Sequence, residues 1–343
     1  MDFLKIDGSF GEGGGQIIRS AVALSAITKT PIQIENIRKN RRVPGLRAQH
    51  LTGVKLLAKV CDANVEGLSI GSTTIRFEPG EIQSTEITEN IGTAGSISLI
   101  FQGLIPAVSI AKKELRLSIT GGTDVSWSPT ANYTKYVLRE ALGRMGIKYS
   151  MEIKKRGYYP KGGGVIDLKV SPCEKIKPID LSKRNKKTVK LFCSYSKLDS
   201  KFIDSQIQNI LKILKENDFQ TQVEIDKEVA LNQGSSILLY STDSDSVIGS
   251  DGLYDVKFAK FPDSIPDNFL KWNLGVDDHL ADMLILPACL SEEMSVFRTR
   301  SITKHLETNL YITSKITGCK YGIRKLDDGF EVRITGDSDS SVK

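Results

Sequence analysis

The spacing of apolar residues divides the first part of the chain into helices and strands. A short strand at Phe3–Asp7 precedes a helix whose apolar face runs from Ile17 to Ile27. Apolar and polar residues alternate at Pro31–Ile37, and helical spacing returns over Pro44–Val60, with proline in the first turn. Two more strands are predicted at Ala63–Ile70 and Thr73–Phe77. The predicted unit is therefore a helix, a strand, a helix and two strands.

The same order of elements recurs twice more. The second copy is predicted as helices at Gly92–Ile110 and Thr130–Gly146 and strands at Glu114–Thr120, Ile147–Lys155 and Gly164–Val170. The third copy begins at Val276 with a helix to Leu290, and continues with a helix at Lys304–Gly318 and strands at Met294–Arg298, Lys320–Lys325 and Gly329–Thr335. Three copies of one unit predict an α+β body in which helices cover small sheets.

A segment of different order, Ser182–Leu274, separates the second and third copies. Its elements are predicted as a strand at Thr188–Tyr195, a helix around Ile203–Asn217, and strands at Gln222–Ile225 and Ser236–Tyr240. This βαββ order is typical of a small α/β domain. Its predicted linkers are a basic run at Lys183–Lys187 and a run rich in proline and aspartate at Phe261–Asn268. The predicted organisation is a body at 1–181, an inserted domain at 182–274, and the rest of the body at 275–343.

Composition narrows the kinds of protein and site to consider. Of 343 residues, 40% are hydrophobic and 26% are charged, as in a globular protein. No apolar run is long enough to span a membrane, and the first residues do not show the basic-then-apolar pattern of a signal peptide, so we expect a cytoplasmic protein without a membrane span. The five cysteines form no Cys-x-x-Cys pair and there are three histidines, which argues against a disulfide framework, a structural zinc site or a histidine-rich metal site. A bound metal is expected to be Mg²⁺ or Mn²⁺ accompanying a phosphate ligand.

Basic residues are clustered although the net charge of +6 is mild. Five arginines and lysines fall between Arg38 and Arg47, and four more, Lys154, Lys155, Arg156 and Lys161, flank Tyr158 and Tyr159. Basic side chains with interleaved aromatics suit a nucleic-acid backbone with stackable bases. A solvated charged surface is the alternative, and for either cluster alone it is the better interpretation.

One histidine occupies a position suited to chemistry. Thr303 is a predicted N-cap, and Leu306 and Leu310 continue at helical spacing, so His305 falls in the first turn of a helix. The positive end of the helix dipole disfavours imidazolium there, and a neutral imidazole can act as a nucleophile or a general base. The alternative is a partly buried histidine that bonds its neighbours.

A glycine-rich segment near the N-terminus is the second candidate. Gly8–Gln16 follows the first strand and precedes the first helix, but its glycine spacing matches neither a Walker loop nor a dinucleotide fingerprint. A tight turn would explain the glycines without a ligand. It would not explain the carboxylate of Glu12 among them.

Seven stretches, in this order, together resemble the RNA 3′-terminal phosphate cyclase family. They are Gly11–Ser20, Arg38–Leu46, Gln49–Leu51, Gly121–Asp124, Gly157–Gly164, His279–Asp282 and His305–Asn309. The resemblance spans nearly the whole chain. It implies three repeats similar to the C-terminal domain of bacterial translation initiation factor three, with an inserted thioredoxin-like domain.

The resemblance also implies a three-step reaction with ATP and an RNA that ends in a 3′-phosphate. A histidine nitrogen, here His305, attacks the α-phosphorus of ATP and releases pyrophosphate. The AMP then passes to the RNA 3′-phosphate, and the adjacent 2′-hydroxyl expels AMP to close a 2′,3′-cyclic phosphate. Covalent catalysis of this kind divides one difficult step into easier ones.

Further roles follow residue by residue from the resemblance. Glu12 is implied as a ligand of a divalent cation, and Arg19, Arg38 and Arg41 as contacts to triphosphate or RNA phosphate. The implied nucleotide contacts are Gln102, Pro129, His279, Leu280, Ala281, Asp282 and Met283, with Pro129 and His279 on either side of the adenine. Tyrosine is common in relatives at position 279 and glutamine at position 283, so this chain departs from the family pattern at two of the implied nucleotide contacts.

Two other classes of function stay open from the sequence. One is a catalytically inactive relative that acts in ribosome assembly, against which the joint presence of His305, Glu12 and Arg19 argues. The other is a plain RNA-binding protein that uses the basic surfaces without turnover. The cellular RNA, the preferred metal, the oligomeric state and the role of the inserted domain are not predicted.

Overall fold

The computed structural model describes residues 2–336, and within them it contains eight helices and four four-stranded sheets. The first sheet is formed by β1 (Leu4–Asp7), β2 (Ile32–Glu35), β3 (Asn64–Glu66) and β4 (Ile75–Glu78), in the order β1-β2-β4-β3. β1 and β2 are parallel and the other pairs are antiparallel. The helices of this region are α1 (Gln16–Thr28) and α2 (Ala48–Cys61).

The second sheet repeats this arrangement. Its strands are β5 (Thr85–Asn90), β6 (Leu115–Gly121), β7 (Tyr149–Lys155) and β8 (Gly164–Val170), in the order β5-β6-β8-β7. Again the first pair is parallel and the others antiparallel. Its helices are α3 (Ile97–Ile110) and α4, which runs through Ala131–Tyr133, a π-helical turn at Thr134–Leu138, and Arg139–Arg144. A two-residue strand, β9 (Asp180–Leu181), follows.

The inserted segment forms its own sheet. Its strands are β10 (Thr188–Ser196), β11 (Gln220–Lys227), β12 (Gly234–Asp243) and β13 (Ser246–Leu253), in the order β11-β10-β12-β13, with helices α5 (Ser200–Glu216) and α6 (Ser264–Lys271). One face of this sheet, with Leu191 and Leu239, packs in a separate core with the two helices. The opposite face, with Phe192 and Leu238, joins the main core. The insert is therefore packed onto the body through its sheet.

The last sheet completes the main body. β14 (Ser295–Thr299), β15 (Lys320–Lys325) and β16 (Phe330–Thr335) lie in the order β15-β16-β14-β9, with helices α7 (Asp278–Ala288) and α8 (Lys304–Thr317). The β9–β14 pair is parallel, so this sheet has the same pairing pattern as the first two. One continuous apolar core contains residues from all three regions, such as Ile18, Phe101 and Leu306. α1 packs against α8, which brings the two sequence candidates together.

Several predicted boundaries were wrong for local reasons. The helix predicted from Pro44 begins at Ala48, because Gly45 has a φ of 79° and interrupts helical geometry. The strand predicted at 63–70 is limited to Asn64–Glu66. The insert contains two elements that the pattern did not predict, β13 and α6, and α6 occupies much of the predicted linker at 261–268. No helix within residues 2–336 has both the length and the apolar character needed to cross a membrane.

Candidate active site around His305

The first turn of α8 is fixed by a capping threonine and a buried carboxyl group. Thr303 Oγ1 accepts from the Leu306 N–H at 2.9 Å, which confirms the predicted N-cap. The same hydroxyl donates to Asp282 Oδ1 at 2.6 Å. Burial raises the pKa of Asp282 to about 6, although this hydrogen bond and the two neighbouring histidines oppose the shift. α7 thereby sets the direction in which α8 begins.

A buried amide joins three helices beneath the histidine. Asn309 Nδ2 donates to the backbone oxygen of Asp282 at 2.8 Å, which links α8 to α7. Its Oδ1 accepts from Gln16 Nε2 at 2.8 Å and from Ser20 Oγ at 2.7 Å, which links α8 to α1. A fully bonded buried amide resists small rotations of the helices it connects. Asn309 therefore fixes the position of the His305 turn relative to the glycine-rich segment.

The glycine-rich segment lies directly against α8. The Phe10 ring stacks on Tyr311, with centroids 3.9 Å apart and planes inclined by 22°. A Cβ atom at Gly11 would collide with the hydroxyl of Thr308, and Gly11 also has a φ of 60°. Close approach and positive φ are the conditions that require glycine. This contact turns Glu12 toward His305.

Glu12 and His305 face each other at the centre of the site. Glu12 Oε2 lies 2.7 Å from His305 Nδ1 but off the hydrogen-bonding direction of the ring, so neither atom has a hydrogen-bond partner within residues 2–336. The other carboxylate oxygen, Oε1, pairs with Arg41. The imidazole side chain is 45% exposed. It is thus open to a ligand on one side and next to a carboxylate on the other.

Burial and the nearby arginines favour the uncharged form of this imidazole. Burial lowers the pKa of His305 from its ordinary value of 6.5, and Arg19 and Arg41 lower it further, while Asp282 acts in the opposite direction. With Nδ1 beside a carboxylate, the ring proton is favoured on Nδ1 and the lone pair on Nε2. A neutral imidazole with a free Nε2 is a competent nucleophile or base.

Positive charge accumulates beside the histidine with little internal compensation. Arg19 is half-buried, and its Nε is enclosed with no hydrogen-bond partner within the described residues. Burial lowers the pKa of Arg19 to about 10. Arg38 donates from Nη1 to the backbone oxygens of Val43 (2.9 Å) and Gly45 (2.8 Å), and so orders the loop that carries Arg41. A cluster of this kind is suited to a multiply charged anion.

His50 shows the strength of this positive field. Burial, followed by the charges of Arg19, Arg38 and Arg47, lowers the pKa of His50 to about 3. Its Nδ1 accepts from the Arg47 N–H at 3.2 Å, so a proton on the ring lies on Nε2. His50 and Asn309 both lie within stretches that resemble the family, but no role was predicted for either residue. Their contacts across α1, α2, α7 and α8 were not evident from spacing along the chain.

The residues predicted to contact the nucleotide differ in their exposure to solvent. His279 is exposed and its ring meets the edge of Tyr133, with centroids 6.3 Å apart, whereas Pro129 is buried. Leu280 and Ala281 are core residues. Gln102 and Met283 are half-buried. Of the pair predicted to enclose adenine, only His279 therefore presents an open ring face.

The second basic cluster differs from its predicted form. Arg156 and Tyr158, expected on a solvated or nucleic-acid-binding surface, are both buried. Arg156 bonds Asp124 and Glu228, so its charge is used within the protein. Only the exposed members, such as Tyr159 and Lys161, are available to a ligand.

A divalent cation would find one unpaired oxygen here. Within residues 2–336, no group of three or more histidine, cysteine or acidic side chains is arranged to hold a metal ion. Glu12 Oε2 is enclosed and has no hydrogen-bond partner among the described residues, which fits one ligand of a hard cation. Other ligands would have to come from phosphate oxygens and water, as Mg²⁺ commonly requires.

Comparison with known proteins identifies the family. The family model described as RNA 3′-terminal phosphate cyclase matches residues 10–323. Proteins named RNA 3′-terminal phosphate cyclase from Methanosarcina barkeri (strain Fusaro / DSM 804) and Archaeoglobus fulgidus (strain ATCC 49558 / DSM 4304 / JCM 9628 / NBRC 100126 / VC-16) are 39% and 37% identical to the chain. The alignments cover 97% of the chain and 100% of the first protein, and 92% of the chain and 96% of the second. The chain therefore belongs to the RNA 3′-terminal phosphate cyclase family.

Proposed function

We propose that the protein uses ATP to convert an RNA 3′-phosphate into a 2′,3′-cyclic phosphate, through AMP bound covalently to His305. The observation that carries this proposal is the neutral, half-exposed imidazole, with Nδ1 facing Glu12 and Nε2 free. Family membership supports the overall reaction. The covalent intermediate and the use of ATP rest on the geometry and on the motif resemblance.

The first step forms a phosphorus–nitrogen bond. His305 Nε2 attacks the α-phosphorus of ATP, the bond to the bridging oxygen breaks, and pyrophosphate leaves. The Glu12 carboxylate stabilises the positive charge that develops on the ring, because it lies beside Nδ1. The N-terminus of α8 favours the developing negative charge on the phosphoryl oxygens.

The second and third steps regenerate the histidine. An oxygen of the RNA 3′-phosphate attacks the AMP phosphorus, the phosphorus–nitrogen bond breaks, and the neutral ring is restored. The 2′-hydroxyl then loses its proton and attacks the phosphorus of the RNA 3′-phosphate. The bond from this phosphorus to AMP breaks, and AMP leaves as the cyclic phosphate forms. AMP is a far better leaving group than oxide, which explains why the reaction consumes ATP.

The charged residues have complementary roles in this scheme. Arg19 and Arg41, whose charges act on His305, bind the triphosphate and then the RNA phosphate. Arg38, whose charge acts on His50, contributes from the same loop as Arg41. Glu12 would hold Mg²⁺ or Mn²⁺ together with phosphate oxygens, and the cation would neutralise phosphate charge.

The nucleoside is proposed to lie along the start of α7. The exposed His279 ring is available for stacking on adenine, with Gln102 and Met283 at the margin, whereas the buried Pro129 offers no open face in this structure. Leu280 and Ala281, whose side chains are buried, would contribute backbone groups. Asp282 acts through Thr303, and its carboxyl would bond the nucleoside only through its remaining oxygen.

The fold supports a repeat interpretation. We propose that the three sheets with identical pairing are repeats similar to the C-terminal domain of translation initiation factor three, and that residues 182–274 are an inserted thioredoxin-like domain. β9 lies at the end of the region 1–181 but pairs with β14, so the third repeat takes its first strand from before the insert. A cytoplasmic location remains part of the proposal.

Cyclisation is tested with a pair of oligoribonucleotides that differ only at the 3′ end. With ATP and magnesium or manganese, we expect the 3′-phosphate end to become resistant to phosphatase and the 3′-hydroxyl twin to remain unchanged. His305→Ala should abolish the resistance. Identical behaviour of the two ends would contradict cyclisation and favour an RNA-binding role without turnover.

A further inference from the structure

Two aromatic side chains on adjoining loops of the second sheet region are highly exposed. Trp127 is 98% exposed and Tyr159 is 76% exposed, whereas the only other tryptophan, Trp272, is buried. We call Trp127 and Tyr159 the aromatic platform. Uncovered aromatic faces cost hydration free energy and are common where a ligand stacks. Neither residue has a role in the reaction described above.

The two loops of the platform are bound to each other. The Thr123 N–H donates to the Gly157 carbonyl at 2.9 Å, and the Gly157 N–H donates to Thr123 Oγ1 at 2.9 Å. Asp124 and Tyr158 continue this pairing as an isolated bridge. Thr123, Asp124 and Tyr158 are buried, so the exposed aromatics stand on a rigid base.

The backbone conformation at Trp127 is a second, independent indication that this side chain binds a ligand. Its φ is 67°, in the left-handed region that bulky residues rarely adopt. Ser128 Oγ donates to the Val125 carbonyl at 2.9 Å and closes the turn around it. A glycine or asparagine would satisfy this turn more easily, so the presence of tryptophan points to a use for the indole.

Charge next to the platform favours nucleic acid as the occupant. Lys161 is exposed two residues after Tyr159, and its N–H donates to Asn232 Oδ1 of the insert at 3.3 Å. Lys197 is also exposed, and its ammonium donates to the Leu231 carbonyl at 2.7 Å in the adjoining part of the insert. Aromatic faces beside lysines form a general binding surface for single-stranded nucleic acid, since each base has a face to stack and each nucleotide a phosphate.

The platform is structurally connected to the nucleotide end of the active site. Two residues after Ser128, Thr130 caps α4, and Tyr133 in the first turn of α4 donates its hydroxyl proton to Asp277 Oδ1 at 2.7 Å. Asp277 caps α7, the helix that carries His279 and Asp282. Hydrogen bonds therefore connect the segment after Trp127 to α7, the helix that contacts the start of α8 through Asp282 and Thr303.

We propose that Trp127 and Tyr159 stack on unpaired bases of the RNA upstream of its terminal phosphate. This proposal rests on the proposed function for its substrate. It assigns the platform to substrate binding and not to the chemical step. It predicts a preference for RNAs whose 3′ end is single-stranded over several nucleotides.

The test compares substrate lengths in matched variants. Trp127→Ala and Tyr159→Ala should each weaken binding of a ten-nucleotide RNA 3′-phosphate by about tenfold. Neither should change binding of a two-nucleotide RNA 3′-phosphate or labelling of the protein by ATP alone. Phe258→Ala, which removes another exposed aromatic on the insert, is the control and should leave all three unchanged. Trp127→Phe should restore most of the affinity for the longer RNA.

Tryptophan fluorescence provides a readout that is independent of turnover. The ten-nucleotide RNA should quench the emission of the wild-type protein and leave that of Trp127→Phe unchanged, because Trp272 is buried. Unchanged affinity of the alanine variants together with no quenching would overturn the proposal and leave the platform to a protein partner. If quenching occurs but ATP never labels the wild type, the platform stands and the proposed chemistry fails.

Discussion

Arg156 is buried and Arg19 is half-buried, and the charges around the two guanidinium groups differ. Arg156 is paired with Asp124 at 3.0 Å and Glu228 at 2.8 Å, and also bonds Asn132 and Ser194. Burial alone would lower the pKa of Arg156, but the two carboxylates reverse this effect and raise it. Arg19 bonds Gln16, and burial is the cause that dominates its pKa, which falls to about 10.

The difference separates a structural charge from a binding charge. A buried cation that is compensated inside the protein joins parts of the fold, and Arg156 joins the second sheet region to the insert. A cation left without an anion retains free energy that a ligand can recover. The resemblance implied Arg19 as a phosphate contact, and Arg156 was part of a basic cluster at 154–161; the structure shows that, of the two, only Arg156 is compensated within residues 2–336.

The largest expected effect on stability comes from breaking the compensated cluster. Arg156→Met leaves the buried Asp124 carboxylate and the half-buried Glu228 carboxylate without their cation, so we expect the free energy of unfolding to fall by about 3–5 kcal/mol. Denaturant unfolding measures this loss. Lys154→Ala, which breaks an exposed pair with Glu152, is the control and should leave the free energy of unfolding nearly unchanged. Wild-type stability of Arg156→Met would remove the distinction between the two arginines.

Arg19 should show the opposite profile. Arg19→Met removes an uncompensated charge, so stability should stay the same or rise, while the rate of labelling by ATP falls by about 10²–10³-fold. The paired measurements are the unfolding free energy and the labelling rate of the same preparation. A large loss of stability with unchanged labelling would make Arg19 a structural residue and contradict its assignment to phosphate.

The acid dependence of labelling is a smaller effect that sharpens the same comparison. Because the pKa of His305 lies below its ordinary value of 6.5, labelling should persist as the pH falls through 6.5 and decline only at lower pH. Arg19 lowers this pKa and Asp282 raises it. Arg19→Met should therefore move the decline to higher pH, and Asp282→Asn should move it to lower pH. Shifts in the reverse directions would show that another group controls the profile.

Local signals were sufficient for the start of α8. Thr303, followed by helical spacing, identified the cap and placed His305 in the first turn, because both depend on residues within one turn of the chain. The apolar pattern also predicted most of the strands, although β5 and β9, the first strands of two sheets, were missed. β13 was missed because its two glycines and aspartate interrupt the apolar alternation.

Contacts between distant segments were beyond sequence reasoning. Glu12 was selected for its setting among glycines, but its approach to His305 depends on the packing of Phe10 against Tyr311. Arg156 was misinterpreted because its partners, Asp124 and Glu228, are 32 and 72 residues away in the chain. Such partners are set by tertiary packing, which residue spacing does not encode.

The most direct measurement is covalent labelling by ATP carrying a radioactive α-phosphate, followed by peptide mapping. We expect one acid-labile adduct on His305 in the wild type, no adduct in His305→Ala, and a retained adduct in His279→Ala, since His279 contributes stacking and not the bond. Label that persists in His305→Ala would place the nucleophile elsewhere and contradict the account.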